Sequence, residues 1–155
     1  MAESSPASER AFLEELRRHR AELRESMDAL EDALAAPAKA DLTRWAQRVH
    51  VALVEVSGDL GAHIDLTEGP AGLYRDLLDT SPRLSEPVAG LTREHVLIRG
   101  QVDTLLARVA APESCADVDR VRALGTALLG RLVRHRQRGS DLVFEAYEFD
   151  IGGET

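Results

Sequence analysis

Histidine is the residue type with the most chemistry to offer in this chain, and four of its five histidines stand where apolar residues are expected. Phe12, Leu16, His19, Leu23, Ser26 and Leu30 recur every three or four positions. The pattern returns in Leu42, Trp45, Val49, Ala52, Val56, Asp59 and His63, then in Val88, Leu91, His95, Ile98, Val102, Leu105 and Val109. It returns once more, with one slip of register, in Val121, Leu124, Leu128, Leu132, His135 and Leu142. Such spacing marks a helix buried along one side. His19, His63, His95 and His135 therefore each fall on the apolar seam of a different helix. His50 follows Val49 and is turned about 100° off its seam. A neutral imidazole inside an apolar bundle must find a partner for each ring nitrogen. Four of them facing a common axis are satisfied together by a metal held between the helices, because imidazole is the usual nitrogen ligand for iron, zinc or copper.

His95 and His135 lie at nearly equal distances from the turn expected around Pro112 to Asp117, so antiparallel packing brings them level. Across the turn between Ala36 and Asp41, His19 and His63 are less well matched, with an offset of five residues, about 7.5 Å of helix. Separations of this kind suit two metals about 3.5–4 Å apart better than a single ion. Carboxylates are the natural bridges in such a site. Glu68 follows His63 by five residues, where Gly69-Pro70 distorts the helix end, and Asp59 precedes it by four on the seam. Asp141 follows His135 by six, and Glu145 lies further along.

The elements that must position these residues are helices. One is expected over residues 8–35 with Ser8 as N-cap, ended by Ala36-Pro37-Ala38. A second covers about 41–66, and a short piece 71–79 follows Gly69-Pro70. A third covers about 87–110, closed by Pro112. The fourth covers about 117–149, broken near Gly139, with the Gly-rich tail DIGGET leaving the helix. Four long helices on short connections make an all-α, up-down-up-down four-helix bundle with a short extra helix between helices two and three, one domain over residues 1–155. Tyr74 and Tyr147 are expected to pack the bundle end.

Composition excludes other classes. The chain has 155 residues, 44% hydrophobic and 30% charged, which is ordinary for a globular domain able to bury its own core. Lys and Arg number 19 against 27 Asp and Glu, a net charge of −8 with no basic patch, which argues against nucleic acid as a partner. No apolar run reaches the length of a membrane span, and MAESSPASER has neither the basic nor the apolar region of a secretory signal. The single cysteine, Cys115, cannot form an internal disulfide, consistent with a cytoplasmic protein. Aromatics at 4% argue against a β-sandwich or barrel. Gly125 and Gly130 make no phosphate loop, and no GxSxG elbow appears.

The two halves of the chain look like one unit used twice. RRHRAEL and REHVLIR each open a histidine-bearing helix, and HIDLTEGPAGLYRDLL and HRQRGSDLVFEAYEFDIGG each follow it. Their order and spacing resemble the hemerythrin-like, His-His-Glu cation-binding family over residues 12–153. The resemblance implies a four-helix bundle with a non-haem di-iron centre that binds or senses O2, or reacts with peroxide or nitric oxide. It implies metal-ligand roles for His19, His63, His95 and His135. The family's acid after the second-helix histidine falls on Thr67, beside Glu68, and its acid after the last histidine on Ser140, beside Asp141. Glu68 and Asp141 are accordingly the acids expected to complete the iron site. The partner histidine expected one turn after His95 is Arg99. The other reading of the same residues is a metal-free or single-metal bundle that serves as a binding or structural module.

Overall fold

The computed structural model describes residues 5–111 and 117–152, and every regular element among them is helical. The order is α1 (Pro6–Ala35), α2 (Leu42–Glu68), α3 (Leu73–Thr80), a 3₁₀ turn at Pro82–Leu84, α4 (Ser85–Ala110) and α5 (Val118–Gly152). The expected turn over residues 112–116 with Cys115, and the side chain of Tyr147, lie outside the described residues.

Local chemistry sets the helix ends, and several differ from the expectation. Ser5, not Ser8, caps α1: its Oγ accepts from the Ala7 N–H at 3.2 Å, and Pro6 fills the first helical position, where a missing N–H costs nothing. Asp41, near the expected start of the second helix, caps α2 by accepting from the Arg44 N–H at 3.0 Å. That helix runs on to Glu68, where the Gly69 N–H closes back onto the Asp65 carbonyl at 3.0 Å. The return into α3 is tight enough to require glycine at position 72. A Cβ there would sit 2.7–2.9 Å from the carbonyl oxygens of Thr67, Gly69 and Leu66. Pro87 lies inside the first turn of α4, which tolerates it because those N–H groups have no acceptor within the helix. The expected break near Gly139 is absent, and α5 continues through residues 150–152 of the expected tail. A helical glycine costs only about 1 kcal/mol relative to alanine. Buried Leu132, His135, Leu142 and Ala146 hold the helix down on both sides of it.

Helix α1 packs on α2, α2 on α4, α4 on α5, and α5 back on α1, while α3 lies against α2. Arg122, near the start of α5, donates to the Leu34 and Ala36 carbonyls at the end of α1, at 2.8 Å each. Arg20, further back on α1, donates to Ser140 further along α5, so these two helices run in opposite directions. They also approach closely, since a Cβ on Gly125 would stand 2.5 Å from Leu34 Cδ1.

The apolar interior forms two clusters rather than one. The larger holds Leu23, Leu30, Leu53, Leu60, Ile98, Leu128 and Leu132 among others. The smaller gathers Leu16, Tyr74, Leu77, Leu84, Val88, Leu91, Leu142 and Ala146 around α3. Each fully buried leucine contributes about 1.5–3 kcal/mol through water exclusion. Leu60 belongs to the first cluster, and so do Ile98 and Leu132, while Leu91 and Leu142 belong to the second. His63, His95 and His135 fall where one cluster gives way to the other. No helix among the described residues is long and apolar enough to cross a membrane.

Candidate metal centre

Helices α2, α4 and α5 each bring one imidazole to this polar layer. The ring of His95 lies 5.1 Å from that of His63 and 4.6 Å from that of His135, centroid to centroid, and the His63 and His135 rings are 5.5 Å apart. One nitrogen from each ring falls within 4.8 Å of the others, the one such three-ligand group among the described residues. The Nε2 atoms of His135 and His63 are 3.4 Å apart. Two nitrogens, each about 2.1 Å from a shared tetrahedral ion, stand about 3.4 Å from one another.

Two carboxylates aim the rings. His95 Nδ1 lies 2.5 Å from Glu68 Oε2, and His135 Nδ1 lies 3.1 Å from Glu94 Oε1. An ionised carboxylate only accepts, so the Nδ1–H of each ring is the donor. In the neutral form of either ring the lone pair then sits on Nε2, which in His135 faces His63. Glu94 is itself buried and accepts from Arg138 through its other oxygen. His95 is 1% exposed, and its Nε2 is a buried nitrogen with no hydrogen-bond partner. Burying such a nitrogen unpaired is costly, and a metal ion is a partner that fits it. Tyr74 covers His95 from the far side, its ring stacked at 6.0 Å and 10° from parallel.

Burial keeps two of the three rings neutral. Burial, then the neighbouring His95 and His135, then Arg20 and Arg136, push the His63 pKa down to about 3. Burial and His95 push His135 down as well, against the pull of Glu94. Neutral imidazole is the form that binds metal. Burial raises the Tyr74 pKa, with its hydrogen bond to Thr67 opposing.

The six residues singled out in the sequence divide unevenly. His63, His95 and His135 come together, and Glu68 joins them through the Nδ1 of His95. His19 does not join them. It stays on its own helix between Glu22, 3.5 Å from Nδ1, and Glu15, 3.9 Å from Nε2. Between Leu16 and Leu23 the apolar spacing splits as three plus four or as four plus three, and α1 takes the second. Arg20 therefore occupies the inward position at this level and donates to Ser140 Oγ at 2.5 Å. Asp141 is also turned away: it is exposed and accepts from Gln137 at 2.9 Å, whereas its neighbour Ser140 faces α1. The five-residue offset was expected between His19 and His63, and of these two it is His63 that meets His95 and His135. Arg99, one turn past His95, donates to Ser57 Oγ at 2.8 Å and ties α4 to α2 instead of facing the centre.

Glu94, Arg20 and Arg136 were not singled out by spacing. Glu94 carried a usable signal, an acid immediately before a seam histidine. Against His63 and His135 lies a cavity of about 40 Å³, walled also by Leu16, Leu23, Leu73 and Val143. No family model, curated protein or solved structure matches this chain.

Proposed function

We propose that this protein holds a single first-row transition-metal ion in a hemerythrin-like, up-down-up-down four-helix bundle. His63, His95 and His135 would be its protein ligands. The observation that carries this reading is a pair of imidazoles, each held by a carboxylate, that meet His63 so that one nitrogen of each ring lies within 4.8 Å of the others. Carboxylates behind metal-bound histidines fix the tautomer and raise ligand basicity. Three protein ligands beside a cavity is also the pattern of metal sites that leave a position for a small molecule.

The family resemblance supports iron as the ion, and three imidazoles suit iron, zinc or copper. Iron bound here would supply redox chemistry toward O2, peroxide or nitric oxide. One ion accounts for the residues better than two. Thr67 and Ser140 stand at the family's carboxylate positions, and Glu68 and Glu94 are engaged on Nδ1 atoms. The chain's own part is to keep His63 and His135 neutral, to aim the rings, to exclude water with Tyr74 and the two leucine-rich clusters, and to set the charge around the cavity. A metal-free structural role is disfavoured by the buried, unpaired Nε2 of His95.

Anaerobic thermal unfolding with and without ferrous iron tests this reading. Iron at 100 times its Kd stabilises the fold by about 2.7 kcal/mol, a rise of roughly 5–10 °C in Tm at this chain length. The rise should vanish in His95→Ala. An equal rise in wild type and variant, or none in either, would overturn it.

A further inference from the structure

The cavity beside the histidines has a charge that the rest of the chain does not share. The protein carries −8 overall, yet no carboxylate lines this cavity, and two guanidinium groups do, those of Arg20 and Arg136. Ser140 and Thr67 add hydroxyls, and Leu16, Leu23, Leu73 and Val143 close the apolar walls. Both arginines are half-buried, and they crowd one another: Arg136 Nη2 donates to the Arg20 main-chain carbonyl at 3.4 Å. The Nε of Arg136 is buried without a hydrogen-bond partner. A neutral diatomic ligand needs no cation in its pocket, and burying guanidinium groups without an anion is costly.

We propose that this cavity binds a small planar oxyanion of the formate or nitrite type, held between Arg20 and Arg136 against His63 and His135, which rests on the metal-centre reading only for the ion beside it. Size selects the class. At about 40 Å³ the cavity is far smaller than the roughly 300–1,000 Å³ of a pocket for a drug-sized ligand, which suits an anion of a few atoms. Shape selects it further, because a guanidinium fork meets a planar pair of oxygens with two parallel N–H···O bonds. Because the guanidinium groups and the two imidazoles line the same cavity, an anion paired with the arginines lies beside His63 and His135, where a metal ion would act on it.

Binding of ¹³C-formate, followed by its line broadening, measures this directly in both metal-stripped and iron-loaded protein. Nitrite should displace it and sulfate should not. Formate is expected to bind both forms, more tightly when iron is present. Arg136→Met should weaken binding at least about tenfold in each form, in line with the loss of a charge-assisted pair, with iron content unchanged. Arg136→Lys, which keeps the charge and loses the fork, should fall between, and keeps the test sound if the methionine variant misfolds. Equal formate affinity in wild type and both variants, no binding by the stripped protein, or displacement by sulfate as readily as by nitrite would each overturn the proposal. Iron content is read on the same samples. A chain that binds formate but no iron would sink the metal reading alone, and one that binds iron but no formate would sink the anion site alone.

Discussion

Glu94 and His95 are neighbours in the chain and serve different helices: Glu94 accepts from His135 on α5, while His95 reaches Glu68 on α2. Two adjacent residues of α4 thus lock the imidazoles of the centre from opposite sides. About 100° separates successive side chains on a helix, which is what lets one dipeptide address two partners.

Neutralising that lock should loosen metal without removing a ligand. Glu94→Gln keeps the shape and a hydrogen-bond acceptor for His135 but loses the charge. Iron affinity, measured by competition with a chelator, should fall about 10–100-fold, the usual cost of changing a group behind a metal-bound histidine. Unchanged affinity would mean that Glu94 serves only Arg138.

Histidine substitutions should separate the rings by position. His135→Ala should lose bound metal, whereas His19→Ala and His50→Ala should keep it. His19 is held by acids of its own helix, and His50 is partly exposed at the far end of α2. Both residues are half-buried and away from the centre, so each change is expected to cost about the 1 kcal/mol typical of a point substitution while leaving the fold intact. Loss of metal in His19→Ala, with the fold intact by circular dichroism, would restore a ligand from α1 and remove Arg20 from its inward position.

Most of the helical architecture could be read from the sequence because apolar spacing reports burial directly. Leu91, His95, Ile98, Val102 and Leu105 follow one another without ambiguity, and all are buried. Ambiguity entered where a polar residue interrupted the stripe. Between Leu16 and Leu23 both His19 and Arg20 satisfy the period, and spacing cannot choose between them. The choice is made by Ser140 on α5, which gives Arg20 a partner. The same applies at Asp141, where the acid is one position from the inward-facing serine. Chain counting from the turns set His19 and His63 five residues apart and could not say which of them meets His95 and His135, because neither the length of each turn nor the stagger between helices is written in the period. Helix ends were legible at Asp41, where the cap is followed at once by the stripe, and less so at Gly139, where packing on both sides overrides a weak local preference.

Acid should destabilise the metal-free protein through its buried histidines. The folded-state pKa of His63 is about 3, below the ordinary histidine value of 6.5, so the unfolded chain binds more protons between those values. Stability is then complete above pH 6.5 and declines as pH falls through that window, and His135 adds to the decline in the same direction. Urea midpoints of chelator-treated protein should be lower at pH 5 than at pH 7.5, with a shallower difference in His63→Gln. The groups acting on His63 are His95, His135, Arg20 and Arg136, all of which disfavour its charged form. A midpoint that stays level or rises toward pH 5 would contradict the neutral centre.

The most direct measurement is the metal content of the chain itself. Purified protein is loaded anaerobically with ferrous iron, passed through a desalting column, and assayed for iron per chain beside His63→Ala. A three-histidine centre predicts about one equivalent in the wild type and little or none in the variant. Less than about a tenth of an equivalent in the wild type, about two equivalents, or equal iron in wild type and His63→Ala would contradict a single ion held by His63, His95 and His135.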